Sequence, residues 1–168
     1  VRMASGSLGQ GLSVAIGAAL AKKLNNDARL VYVLMGDGEI QEGQVWEAAM
    51  FAAAKQVDNV IATIDANGQQ IDGSTKQVLD GGDLAAKWSA FGWEVLKMDG
   101  NNIPDIMKTM EAAKNASGKG KPVVIIMQTE MGNGVDFMMH SHKWHGIAPN
   151  DEQLAIALNQ NPETLGDY

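Results

Sequence analysis

Four short apolar runs punctuate the chain, at residues 30–35, 60–64, 93–98 and 123–129. Most are rich in β-branched side chains and close to continuous in hydrophobicity, the pattern of strands buried on both faces. The stretches between them carry helical spacing instead. Residues 8–24 are dominated by small side chains (Ala15, Gly17, Ala18, Ala19, Ala21), which predicts a helix packed closely on another backbone. Residues 41–56 place Val45, Ala48, Ala49, Ala52 and Ala53 on one face, with Glu42 in the first turn, where a carboxylate suits the helix dipole. Residues 83–91 read as a short helix capped by Asp83, and residues 104–116 as a helix opened by Pro104, with Met107, Met110 and Ala113 facing the core. A last short helix is predicted over 151–159, followed by a polar tail to Tyr168. Strands that alternate with helices require right-handed crossovers. The expected architecture is therefore α/β, a parallel sheet covered by helices on both faces.

Two strand ends carry the candidate chemistry. The first run leads into Gly36-Asp37-Gly38, and the second into Asp65-Ala66-Asn67-Gly68, both sequences that turn the chain sharply. In a parallel sheet the two turns open on the same edge, so Asp37 and Asn67 can aim oxygens at one ion. A carboxylate, an amide oxygen and a backbone carbonyl form a hard-oxygen set for Mg²⁺ or Ca²⁺, with a ligand's phosphates completing the shell. Upstream, Gly6-Ser7-Leu8-Gly9-Gln10-Gly11 has its glycines in the wrong order for a dinucleotide fingerprint. Its place at a helix start still offers N–H groups and a positive dipole end to a diphosphate or to a cofactor's ring.

Gly36-Asp37-Gly38 followed about thirty residues on by Asp65-Ala66-Asn67-Gly68 resembles the thiamine-diphosphate fold signature. The fuller strings Gly36-Asp37-Gly38-Glu39-Ile40-Gln41-Glu42-Gly43 and Asn67-Gly68-Gln69-Gln70-Ile71-Asp72-Gly73 resemble transketolase, in particular the amino-terminal subunit of split transketolases. Trp144-His145-Gly146-Ile147-Ala148-Pro149 is similar to that family's histidine-glycine-x-alanine-proline loop. The family has proline where this chain has Ser7. The resemblance implies Mg²⁺ ligation by Asp37, Asn67 and the main-chain oxygen of Gln69. It implies thiamine diphosphate bound by Gly6, Ser7, Leu8, Gly38, Asn67, Ile71 (near the thiazolium ring) and His145. His145 is the catalytic candidate, reaching the diphosphate and the donor sugar, where an imidazole can donate to phosphate or shuttle a hydroxyl proton. Glu42 would lie at a dimer interface and couple two active sites.

The reaction implied is transfer of a two-carbon unit from a ketose to an aldose, both sugar phosphates, in the pentose phosphate pathway. The family's activating glutamate sits on a separate pyrimidine-binding domain. The resemblance therefore calls for a partner, a C-terminal transketolase subunit, in a dimer or heterotetramer. Residues 1–168 are expected to form a single diphosphate-binding domain whose beginning is missing, because Val1 opens directly into motif-rich sequence. Within the same cofactor class the alternatives are a deoxyxylulose-phosphate synthase and the α subunit of a 2-oxoacid dehydrogenase. Outside it, the alternative is a non-catalytic fragment that binds cofactor and turns nothing over.

Composition narrows the field further. With a net charge of −7 and no basic cluster, nucleic acid is not an expected partner. The absence of cysteine excludes disulfides and thiolate chemistry and fits the cytoplasm. No apolar run approaches the roughly 18 residues of a membrane span. Three histidines, His140, His142 and His145, fall within six positions, but their spacing matches no standard zinc set. His140 and His142 read as ordinary loop residues.

Overall fold

The computed structural model describes residues 3–4 and 6–161. The main elements in order are α1 (Gly11–Leu24), β1 (Val31–Gly36), α2 (Gly43–Ala54), β2 (Val60–Ala66), a small hairpin of β3 (Gln69–Gln70) and β4 (Gly73–Ser74), α3 (Thr75–Leu79), α4 (Leu84–Ala90), β5 (Glu94–Asp99), α5 (Ile103–Ala116), β6 (Val123–Gln128) and α6 (Asp151–Gln160). The four long strands form one parallel sheet in the order β1-β2-β6-β5. The two central strands are the continuously apolar ones. Val60, Ile61, Ala62 and Ile64 of β2 and Val123, Val124 and Ile125 of β6 are fully buried, each large side chain contributing about 1.5–3 kcal/mol.

Alternation along the strands divides the core in two. On one face Leu12, Ile16 and Ala19 of α1, Val45, Ala48, Ala49 and Ala52 of α2, and Trp88 of α4 pack on Met35, Ala62, Ile64 and Val124. Trp88 meets Trp93 edge-on at 4.8 Å, and the Trp93 Nε1–H donates to the Ala49 carbonyl at 2.9 Å, which fixes α4 and β5 to α2. On the other face α5 lies along β5 and β6, with Ala113 against Ile61, Met98, Val123 and Ile125. Tyr32 and Leu34 of β1 pair with Ile61 and Thr63, so they belong to this second face; they are 51% and 67% exposed. Among the described residues no helix is long and apolar enough to cross a membrane.

Several expected boundaries shift, each for a local reason. α1 begins at Gly11 rather than at residue 8, because Gly9 adopts φ +84°, a conformation no helix continues. Glu42 stands outside the first turn of α2: a 3₁₀ turn over Glu39–Gln41 precedes it, and Glu42 is the extended N-cap residue. β2 runs on through Asp65 and Ala66, so the turn starts only at Asn67. Beyond it the β3–β4 hairpin and α3 occupy residues 69–79, where the sequence pattern predicts no element. Met107 points to solvent, 69% exposed; the core stripe of α5 is Ile106, Thr109, Met110 and Ala113. The expected polar tail past Asn161 lies outside the described residues.

Candidate cofactor and metal site

The sheet ladder runs straight into the site. Gly36 pairs with Asp65, and one residue further the Asp37 N–H donates to the Asp65 carbonyl at 3.1 Å. The side chain of Asp37 then crosses to the neighbouring turn: its Oδ2 accepts the Gly68 N–H at 2.6 Å. Asn67 is held from both ends. Its Oδ1 accepts the Gln69 N–H at 2.8 Å, and its Nδ2 donates to Asp65 Oδ2 at 3.3 Å. Asp65 is steadied in turn by the Thr129 hydroxyl, which donates to its Oδ1. Asp37 and Asn67, thirty positions apart, are thus brought to adjoining turns at the carboxyl edge of the sheet, with Gln69 at the start of β3 immediately beyond.

Burial pushes the Asp37 carboxyl up and the nearby Asp65 charge adds to this, while the Gly68 and Gly38 N–H groups act the other way. A cation would relieve that strain on the charged form. The donor set fits one: the Asp37 carboxylate and the Asn67 amide oxygen keep lone-pair capacity beyond the backbone N–H groups they accept. No group of three or more His, Cys, Asp or Glu side chains placed to hold a metal occurs among the described residues. A magnesium ion here would therefore lean on amide, main-chain and phosphate oxygens, as a hard cation can.

Gly38 faces the hairpin so closely that a Cβ on it would lie 3.1 Å from Gln70 Cβ. Gln70 is fixed by Gln41, whose Nε2 donates to Gln70 Oε1 at 2.6 Å and to the Leu79 carbonyl at 3.1 Å. Ile71, at the hairpin tip, is 62% exposed. Next to it runs the 3₁₀ turn His142–His145, and a Cβ on Gly146 would come within 3.3 Å of Ile71 Cδ1. Trp144 anchors this turn through its Nε1–H to the Phe137 carbonyl at 2.8 Å and an edge-on ring contact with Phe137. His145 itself is exposed. Ile71, His142, Lys143, Gly146 and Ile147 line a shallow depression of about 320 Å³. His142, read as an ordinary loop residue, therefore borders the candidate site, whereas His140 turns away to Glu130, Nδ1 to Oε2 at 3.0 Å.

Gly6, Ser7 and Leu8 form an exposed segment ahead of α1. The N–H groups expected to be open there are not all open. Gly9 donates to Glu39 Oε1 at 2.9 Å, and the other oxygen of that carboxylate accepts the Gly36 N–H at 3.1 Å. Glu42 is exposed beside this contact; a Cβ on Gly9 would fall 2.8 Å from Glu42 Cβ. Glu39, Asp65, Thr129 and the Gln41–Gln70 pair are site residues to which the sequence alone assigns no role. Glu39 alone left a local signal, a carboxylate three positions past a strand end.

The family described as transketolase, thiamine diphosphate binding domain, matches residues 1–162. The chain belongs to the transketolase family. It is 41% identical over 158 residues to the 6-deoxy-6-sulfo-D-fructose transketolase subunit SqwG of Clostridium sp. (strain MSTE9), covering 94% of this chain and 57% of that protein. It is 39% identical over 165 residues to an apulose-4-phosphate transketolase subunit of Phocaeicola vulgatus, covering 98% and 58%. The crystal structure of transketolase from Campylobacter jejuni superimposes with a TM-score of 0.86 at 33% identity, over 95% of this chain and 26% of that one. The chain thus spans a little over half the length of these two curated relatives and carries the family's thiamine-diphosphate-binding domain.

Proposed function

We propose that this chain supplies the diphosphate-binding side of a transketolase active site that moves a two-carbon ketol unit from a ketose to an aldose. The observation that carries the reading is the convergence of Asp37 and Asn67 on adjoining strand ends, tied together through the Gly68 N–H and Asp65. Asp37, the Oδ1 of Asn67 and the main-chain oxygen of Gln69 would hold Mg²⁺. Gly38, the Gly6-Ser7-Leu8 segment and Ile71 would line the cofactor. Thiamine diphosphate, when bound, supplies the electron sink that lets a carbon–carbon bond next to a carbonyl break. The protein's share is orientation and proton movement. His145, exposed on a turn anchored by Trp144, would donate to the diphosphate or take a hydroxyl proton from the donor sugar.

The proposed substrates are ketose and aldose sugar phosphates of the pentose phosphate pathway. The relatives named for sulfofructose and apulose-4-phosphate support a sugar with an anionic end without fixing which one. Residues 1–168 act in this reading as one diphosphate-binding domain in the cytoplasm. A C-terminal subunit would bring the pyrimidine-binding domain, and Glu42 would lie where two such pairs meet in a dimer or heterotetramer. The relatives' names, which call them subunits, support the partner.

The test is calorimetry of thiamine diphosphate binding to the enzyme assembled with its partner subunit. Binding is expected to collapse in chelator and in Asp37→Ala, since the protein oxygens alone leave the ion's shell incomplete. Equal affinity with and without Mg²⁺ would remove the ion site. Cofactor binding without ketose–aldose exchange would leave a non-catalytic binding module.

A further inference from the structure

We infer that Glu39 is a positioning residue that presets the Gly6–Gly9 segment over the Asp37 turn for the ring portion of the cofactor; this rests on the thiamine-diphosphate reading above. One carboxylate joins two segments distant in sequence, Gly9 at 2.9 Å and Gly36 at 3.1 Å. Both are charge-assisted bonds to backbone, stronger than neutral ones. The backbone at Gly9 is shaped for the same contact. It is buried, with φ +84°, and a Cβ there would fall 2.8 Å and 2.9 Å from Glu42 Cβ and Cγ and 3.1 Å from Gln44 Nε2. Only glycine lets the segment lie this close to the start of α2, and Glu39 is what it bonds to on arrival.

The electrostatic consequence divides the cofactor between two places. A carboxylate already takes the Gly9 N–H just ahead of α1, so a diphosphate brought to this segment would meet a like charge. The diphosphate belongs at the Asp37–Asn67 cation site, and the Gly6–Gly9 segment is left for the cofactor's rings, which carry no negative charge. Glu39 thereby links the two halves of the site through a single side chain.

The experiment compares two ligands on the assembled enzyme: thiamine diphosphate with Mg²⁺, and Mg²⁺-pyrophosphate, which has no rings. In Glu39→Gln one acceptor oxygen becomes an NH₂ facing an N–H donor, so one arm of the bridge is lost. Affinity for thiamine diphosphate is expected to fall about ten- to a hundredfold, the loss of one charged hydrogen bond, while Mg²⁺-pyrophosphate binds as in the wild type. Glu39→Asp, too short to span both amides, should lie between. An equal loss for both ligands would make Glu39 merely structural, and no loss for either would overturn the inference. Failure of the wild type to bind thiamine diphosphate would instead sink the functional reading and the cofactor role of Glu39 with it. Hydrogen exchange covers the case in which the variants do not fold. In the cofactor-free wild-type protein the Gly9 and Gly36 amides should exchange slowly, and solvent-rate exchange at both would overturn the bridge.

Discussion

Asp37 serves two opposed requirements. Folding buries its carboxyl beside Asp65, which raises its affinity for a proton above that in the unfolded chain. The folded state then binds the proton more tightly, so Asp37 favours folding below its unfolded pKa and this contribution is lost as pH rises through the window up to its folded pKa. Asp37→Asn removes that dependence. In chelator its stability should fall less than the wild type's as pH rises from the ordinary aspartate range toward neutrality, while Mg²⁺-supported cofactor binding is lost. Denaturant midpoints at a series of pH values read the first effect, and identical slopes for the two proteins would count against it. His145 poses the converse case. It is exposed on a turn held by Trp144, so His145→Ala should change stability by no more than about 0.5 kcal/mol. Turnover of the assembled enzyme at saturating cofactor should drop roughly 10²–10⁴-fold if the imidazole moves a proton; a near-normal rate there would leave it a binding residue. Asp37, Asn67 and His145 were legible because each sits in a short contiguous string. Glu39 sits in the same string as Asp37, but its bond to Gly9 spans 30 positions and that of Thr129 to Asp65 spans 64, so only the folded chain shows what they hold.

Helix spacing predicts which elements exist better than which face they bury. For α5, methionines at 107 and 110 with Ala113 suggested one stripe, but steps of three drift around a helix of 3.6 residues per turn. The buried stripe uses steps of three and four through Ile106, Thr109, Met110 and Ala113, and Thr109 hid it by counting as polar. Met107→Lys should therefore shift stability by no more than about 0.5 kcal/mol. Ala113→Leu, forced into a fully buried position against Ile125 and Met98, should cost about 1–3 kcal/mol by overpacking. Guanidinium titration of the two variants separates the faces, and the reverse ranking would refute the assignment. The hairpin β3–β4 was invisible for a different reason. Two-residue strands carry no periodicity, and their pairing is set by Gly68 and Gly73 at positive φ.

At the scale of the molecule, the four strands of the main sheet and their parallel sense could be read from the spacing of apolar runs, but their order could not. β6 enters between β2 and β5, a placement decided by its greater burial. β1 is left at an edge with Tyr32 and Leu34 open to solvent, an apolar strip beside unpaired backbone. Alone, the chain should self-associate through it. Sedimentation should show mass rising with concentration and a return toward monomer in the double variant Tyr32→Lys, Leu34→Lys; a wild type that stays monomeric throughout would refute this. The two halves of the candidate site also hang from different supports. Asp37 and Asn67 continue the sheet ladder, whereas His142 and His145 ride on one short turn pinned by a tryptophan and a carbonyl. Such a scaffold separates what can drift from what cannot. In the reading proposed above, changes across residues 131–150 that spare His145 would reshape the sugar's surroundings while the Asp37–Asn67 ion site stays as it is, so a lineage built on this sheet could explore new substrates without relearning its chemistry.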